Sequence, residues 1–193
     1  MTCKRKAWIV LLALIISNSI FSSALLASDR QGTLEFIIGN YGMNEPRFKA
    51  AYQEAGVIRG MALSCQLIYD FDFYLEIRYL NKLGLLTYTK EETKLQLLPI
   101  SLGIRYVRPM GWAYPYLGVG PDFYLYYETN PIGTVFNSAK GFHFQGGSYF
   151  QFLKKLPLWL NLKLKYTKVK TEENNRKIEL GGFEYEAGFV IVF

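Results

Sequence analysis

Cysteine and histidine are almost missing from this chain of 193 residues, which has two Cys and one His. Cys3 lies at the extreme N-terminus, so Cys65 has no intrachain partner once that segment is gone, and a disulfide framework is excluded. One His and one remaining Cys cannot supply spaced metal ligands, so neither a metal site nor a cofactor is expected. A phosphate-cradling loop is also missing: the GVG of LGVGPD has no helix after it. Charge of one sign is scarce. The formal charge is +6, and losing Lys4, Arg5 and Lys6 takes it to +3, which makes nucleic acid an unfavoured partner. Nor is there a long apolar run. Ala7–Ile16 holds ten residues, where a membrane helix needs about 20.

That short run reads as an export signal. Lys4, Arg5 and Lys6 precede it, and SSALLAS offers cleavage after Ala27 or Ala24. Residues 1–27 are the expected signal peptide and 28–193 the expected single mature domain. No cysteine follows the small residues, so no N-terminal lipid anchor is expected.

What the chain has in plenty is aromatics, 15 Tyr and 14 Phe, spread over short alternating runs. Period-two alternation marks strands with two unlike faces. It predicts eight: Leu34–Tyr41, Ile58–Tyr69, Phe73–Leu85, Lys94–Val107, Ala113–Tyr127, Phe142–Leu153, Leu158–Lys168 and Ile178–Phe193. The connections alternate between long and short. DFD, RPMGWA and KKLP are short, while GMNEPRFKAAYQEAGV, GLLTYTKEET, ETNPIGTVFNSAKG and KTEENNRK are long. All long loops then fall at one end of an antiparallel up-and-down meander, the asymmetry of transmembrane barrels. FKAAYQEA breaks the strand pattern and is compatible with a short helix or capped turn in the first long loop.

The two faces differ in chemistry. In LWLNLKLKY, Leu158, Leu160, Leu162, Leu164 and Tyr166 share one face and Trp159, Asn161, Lys163 and Lys165 the other. The polar face carries glycines beside large aromatics, which suits a tight curved interior. The apolar face is broad and uncharged, which suits lipid. Tyr69, Phe71, Phe73, Tyr106, Trp112, Tyr114, Trp159 and Phe193 gather near the short-turn end like an interfacial girdle. The fourth strand changes phase between Leu95/Leu97 and Ile100/Leu102, which a β-bulge near Leu98–Pro99 would reconcile.

With the strands LPISLGIRY and AYPYLGVGPDFY and the terminal EAGFVIVF, the chain resembles the small outer-membrane β-barrel proteins of Gram-negative-type bacteria, the porin-like outer membrane protein β-barrel family. The resemblance runs from about Thr33 to Phe193. It implies an all-β, eight-stranded antiparallel transmembrane barrel in the outer membrane, in contact with its lipid and most simply a monomer. It also implies that Phe189, Ile191 and Phe193 form the C-terminal signal read by the barrel-assembly machinery. Some such barrels are esterases with a Ser/His/acid set at the outer rim. Here no serine lies two residues from His143, and Ser138 falls in a predicted loop, so no catalytic residues are assigned and an enzyme is not expected. His143 is better read as paired to groups in the lumen.

The inward charges are the most informative set. By phase they are Glu76, Asp122, Glu184 and Glu186 against Arg78, Arg105, Lys163 and Lys165. Four facing four implies mutual neutralisation, because unpaired buried charge is costly. Eight strands enclose room for side chains or one small ligand. The expected function is a non-enzymatic barrel with a filled polar lumen, its loops serving envelope structure or surface contact. The alternatives are a narrow porin or transporter for a small or hydrophobic solute, and a soluble lipocalin-like binder in the periplasm. The last lacks its cue, a Gly-x-Trp in the first strand, which reads LEFIIGNYG.

Overall fold

A computed structural model describes residues 31–52, 55–85, 90–131, 133–152, 156–173 and 176–193. The expected signal peptide lies outside the described residues. The unit Gly32–Phe193 contains β1 (Gly32–Met43), α1 (Pro46–Tyr52), β2 (Ala55–Ile68), β3 (Phe71–Leu85), β4 (Glu92–Val107), β5 (Ala113–Asn130), β6 (Gly133–Phe150), β7 (Leu158–Glu173), β8 (Arg176–Glu179) and β9 (Gly182–Val192). From β1 to β7 each strand pairs antiparallel with the next, β7 pairs with both β8 and β9, and β9 returns to β1 with Thr33 opposite Val192 and Met43 opposite Gly182. The sheet therefore closes through β9, which is what a barrel in lipid requires, while the short β8 pairs with β7 alone. Gly32 and Phe193 exchange backbone hydrogen bonds of 2.8 and 3.1 Å as the final rung.

The eighth wall strand is in two pieces. β8 and β9 pair with β7 in one register, Lys170 opposite Glu179 and Tyr166 opposite Phe183, with a break at Leu180–Gly181. There the Tyr41 hydroxyl donates to the Leu180 carbonyl, and Thr167 Oγ1 accepts from Gly182 N at 3.1 Å. Side chains from β1 and β7 thus satisfy backbone groups that the interrupted ladder leaves open.

Two of the four expected long loops are mostly strand. β5 and β6 stay paired out to Asn130 and Gly133, and β7 and β8 to Glu173 and Arg176, so ETNPIGTVFNSAKG and KTEENNRK form the tips of long hairpins. β3 and β4 likewise pair out to Leu85 and Glu92. Polar residues there read as loop, yet strands that stand clear of the apolar belt have no reason to be apolar. At the opposite end DFD is tighter than it reads. Tyr69 takes the left-handed conformation (φ 50°), the turn spans Tyr69–Asp70, and β3 already includes Phe71 and Asp72.

The expected bulge at Leu98–Pro99 is not there. β4 holds one register with β3 and with β5 on both sides of Pro99. Leu95 and Leu97 instead point inward with Pro99, Ser101, Gly103 and Arg105. They join an apolar cluster inside the barrel, so an apolar residue need not mark the outer face. Gly103 and Gly120 sit where β4 and β5 approach most closely. A Cβ on Gly103 would meet the Tyr74 hydroxyl at 2.5 Å, so glycine here makes space for that ring.

Outside, Phe36, Ile38, Met61, Leu63, Ile77, Leu117, Leu162, Leu164 and Phe189 are exposed, an apolar belt around the wall. Leu164 is 57% exposed. Leu164→Arg is expected to destabilise the barrel by about 2–4 kcal/mol in bilayers and far less in denaturant-free detergent. Reversible unfolding from vesicles measures it, and a change near zero would show that this face does not meet lipid.

Candidate functional site in the barrel lumen

At the short-turn end a floor of Val107, Tyr116, Tyr149, Trp159 and Val190 closes the lumen, with Tyr114 and Val192 against it. Tyr114 stacks on Trp159 at 4.4 Å and Tyr116 on Tyr149 at 4.8 Å. Tyr114 and Trp159 thus leave the expected girdle. Trp159 shares the parity of Lys163 on β7, so it turns inward with the lysines.

Above the floor sits Arg105. Its guanidinium carbon lies 5.7, 5.4 and 5.0 Å from the ring centres of Tyr74, Tyr116 and Tyr149. It donates to Glu35 Oε1 at 2.8 Å, Asp72 Oδ2 at 3.2 Å, Ser64 Oγ at 2.6 Å and Thr33 Oγ1 at 3.1 Å. Glu35 also accepts from the Tyr149 hydroxyl at 2.6 Å and from Asn161 Nδ2 at 2.8 Å. A desolvated guanidinium with two carboxylates, two hydroxyls and three aromatic faces is well compensated.

The next level holds the other three bases. Lys163 bridges Glu76 and Glu186, the latter at 2.5 Å. Lys165 reaches Glu76 Oε1 at 2.9 Å, Ser101 Oγ at 2.7 Å and Asp122 Oδ1 at 3.9 Å. Arg78 meets Glu184, Glu186 Oε1 at 3.1 Å and Glu76 Oε1 at 2.8 Å. Asp122 Oδ1 also sits 2.8 Å from His143 Nδ1, and the Tyr74 hydroxyl meets His143 Nε2. Tyr74 thereby links this level to Arg105 below.

All eight expected charges lie buried here. Glu35 and Asp72 join them, so six carboxylates face four lysines and arginines, with His143 beside Asp122, among the described residues. Four against four undercounts the acids. Glu35 was hidden because LEFII is apolar on both sides of it, and Asp72 because it read as a turn. The parity of Thr33 and Tyr41 on β1 would have flagged Glu35. Register places Lys163 opposite Glu186 and Lys165 opposite Glu184, yet Lys165 reaches across the lumen to Glu76 instead. Facing strands of the barrel, and not hairpin neighbours alone, supply the partners.

A cap completes the column at the long-loop end: Tyr41, Met43, Ile58, Leu80, Leu95, Leu97, Tyr124, Tyr126, Ala139, Val169 and Leu180. α1 lays Tyr52 onto this cluster, and its hydroxyl meets Thr93 Oγ1 and Glu128 Oε1, each at 2.8 Å. Burial pushes the Tyr52 phenol above its ordinary pKa, so it stays a neutral donor. Ser138 lies on β6 and is exposed on the wall, away from His143, which faces the interior. Ser138 and His143 thus lie on opposite faces of β6. Phe189 and Ile191 on β9 and the terminal Phe193 are all exposed on the outside of the wall.

Lys163→Met strands two buried carboxylates and is expected to cost about 3–5 kcal/mol. The cost should shrink when Glu76 and Glu186 are already Gln. Urea unfolding of the four forms gives the coupling, and a coupling of zero would remove these ion pairs from the account.

No known protein family matches the sequence, and no characterised protein matches it by sequence. Solved structures do match the fold. Neisserial surface protein A superposes with a TM-score of 0.65 at 14% identity, covering 84% of this chain and 97% of its own. The outer membrane protein OprG from Pseudomonas aeruginosa gives 0.66 at 12% identity, with 85% and 96% covered. Ail, the attachment invasion locus protein of Yersinia pestis, in complex with the heparin analogue sucrose octasulfate, gives 0.53 at 11% identity, with 83% and 99% covered. The chain has the closed eight-stranded antiparallel β-barrel fold of these proteins.

Proposed function

We propose that this protein is a closed, non-enzymatic barrel that acts through what it presents at the cell surface. The observation that carries this reading is the filled lumen. Aromatic floor, two charged levels and apolar cap occupy the interior in series, so the inner charges bind one another and line no path for a solute. A narrow channel or transporter would need an unblocked axis. A lipocalin-like binder would need an apolar interior, and here the interior carries the charge.

The surfaces left are the wall and the projecting hairpins. Beyond the barrel rim β5 and β6 carry Tyr127 directly opposite Phe136, both exposed. An exposed aromatic pair on a projecting hairpin suits contact with another molecule. Two proteins of this fold carry names that refer to the surface or to attachment, which fits the same reading. In this account the apolar belt contacts outer-membrane lipid, the barrel is a monomer, and the barrel-assembly machinery reads Phe189, Ile191 and Phe193 during insertion.

Orientation is the first test. In a Cys65→Ser background, Thr134→Cys on the β5–β6 hairpin should label with a membrane-impermeant maleimide on intact cells. Arg108→Cys at the short-turn end should label only after permeabilisation. The opposite pattern, or recovery of the protein in the soluble periplasmic fraction, would overturn the proposal. Replacing Phe193 with Glu should separately lower the yield of heat-modifiable barrel in the outer membrane at native expression, and an unchanged yield would remove the assembly role.

A further inference from the structure

Three lysines stand together on the outer wall. Lys140 on β6 lies directly opposite Lys170 on β7, and Lys168 lies opposite Phe142 two residues nearer the short-turn end. All three are exposed. Like charges directly opposite one another repel, so this pairing costs stability unless something compensates it. Glu179 lies opposite Lys170. None of the three lysines forms an ion pair with a residue whose side chain is described.

The setting identifies the missing partner. Directly toward the short-turn end lie exposed Phe142, Phe144 and Phe183, with half-buried Tyr166 among them. Phe142 and Phe144 are 5.7 Å apart, and Tyr166 and Phe183 are 4.8 Å apart. One row of paired residues climbs the barrel through Phe36, Met61, Ile77, Ile100, Phe123, Lys140, Lys170 and Glu179. Its first five side chains are apolar and its last three are charged. The lysines therefore stand where the wall leaves the apolar belt, with aromatics immediately below.

We infer that Lys140, Lys168 and Lys170 bind the phosphate of an anionic lipid in the leaflet on the long-loop side, its acyl chains lying along Phe142, Phe144, Tyr166 and Phe183. Ammonium groups at a headgroup boundary attract such a phosphate, and the rings beneath give the chains an apolar surface. The inference depends on the belt facing lipid, as proposed above.

The test places the full barrel in phosphatidylcholine nanodiscs, adds phosphatidic acid, and reads retained lipid by native mass spectrometry. Wild type should retain phosphatidic acid over phosphatidylcholine. Each of Lys140→Gln, Lys168→Gln and Lys170→Gln should weaken that retention about fivefold. The control triple Lys49→Gln, Lys90→Gln, Lys94→Gln, elsewhere at the same end, should leave it unchanged. Retention equal to wild type by these single variants, or an equal loss in the control, would overturn the inference while leaving the membrane reading intact. Displacement by inorganic phosphate at the same concentration would show a simple anion site and overturn the lipid assignment. A chain that fails to enter nanodiscs would sink the membrane reading, and this inference with it.

Discussion

Lys163 reaches one carboxylate across the lumen, Glu76, and another on the neighbouring strand, Glu186. Much of the barrel depends on bridges of this kind. A closed sheet of eight strands leaves a narrow space in which a lone charge has no water to solvate it. Charged side chains on six of the wall strands must therefore meet near the axis. Arg78 and Lys165 extend the bridge to Glu184 and Asp122, and Arg105 anchors a second level on Glu35 and Asp72. The floor and the cap exclude water above and below, which strengthens each pair while raising the cost of breaking one.

The same requirement divides the chain into two surfaces. The residues flanking the inward charges along each strand face outward, and there the belt is apolar. Strand closure of β9 onto β1 pairs the backbone groups around the belt. Beyond the belt the strands continue as polar hairpins, because nothing there calls for apolar side chains. In the proposed reading, what the protein offers to other molecules is the belt, its charged upper margin and the hairpins.

Much of this was legible in the sequence because a strand has period two. Alternation alone puts Glu76 and Arg78, Lys163 and Lys165, and Glu184 and Glu186 on inward faces. Alternation failed where polarity and direction part company. Leu95 and Leu97 are apolar yet inward, because the lumen has an apolar cap, and that produced a bulge where the register is continuous. Trp159 and Tyr114 are aromatics near an interface yet form the floor. Which acid meets which base was out of reach. Lys165 lies beside Glu184 along the hairpin and chooses Glu76 from the far wall, a choice set by strand stagger and by Arg78 already occupying Glu184.

The central claim is that these paired charges seal the lumen. Single-barrel current recording in a planar lipid bilayer tests it most directly. Inserted wild-type barrels should pass no ionic current above the bare bilayer at either polarity. Stable, ohmic current steps that scale with the number of inserted barrels would contradict a sealed lumen and make the same charges the lining of a pore.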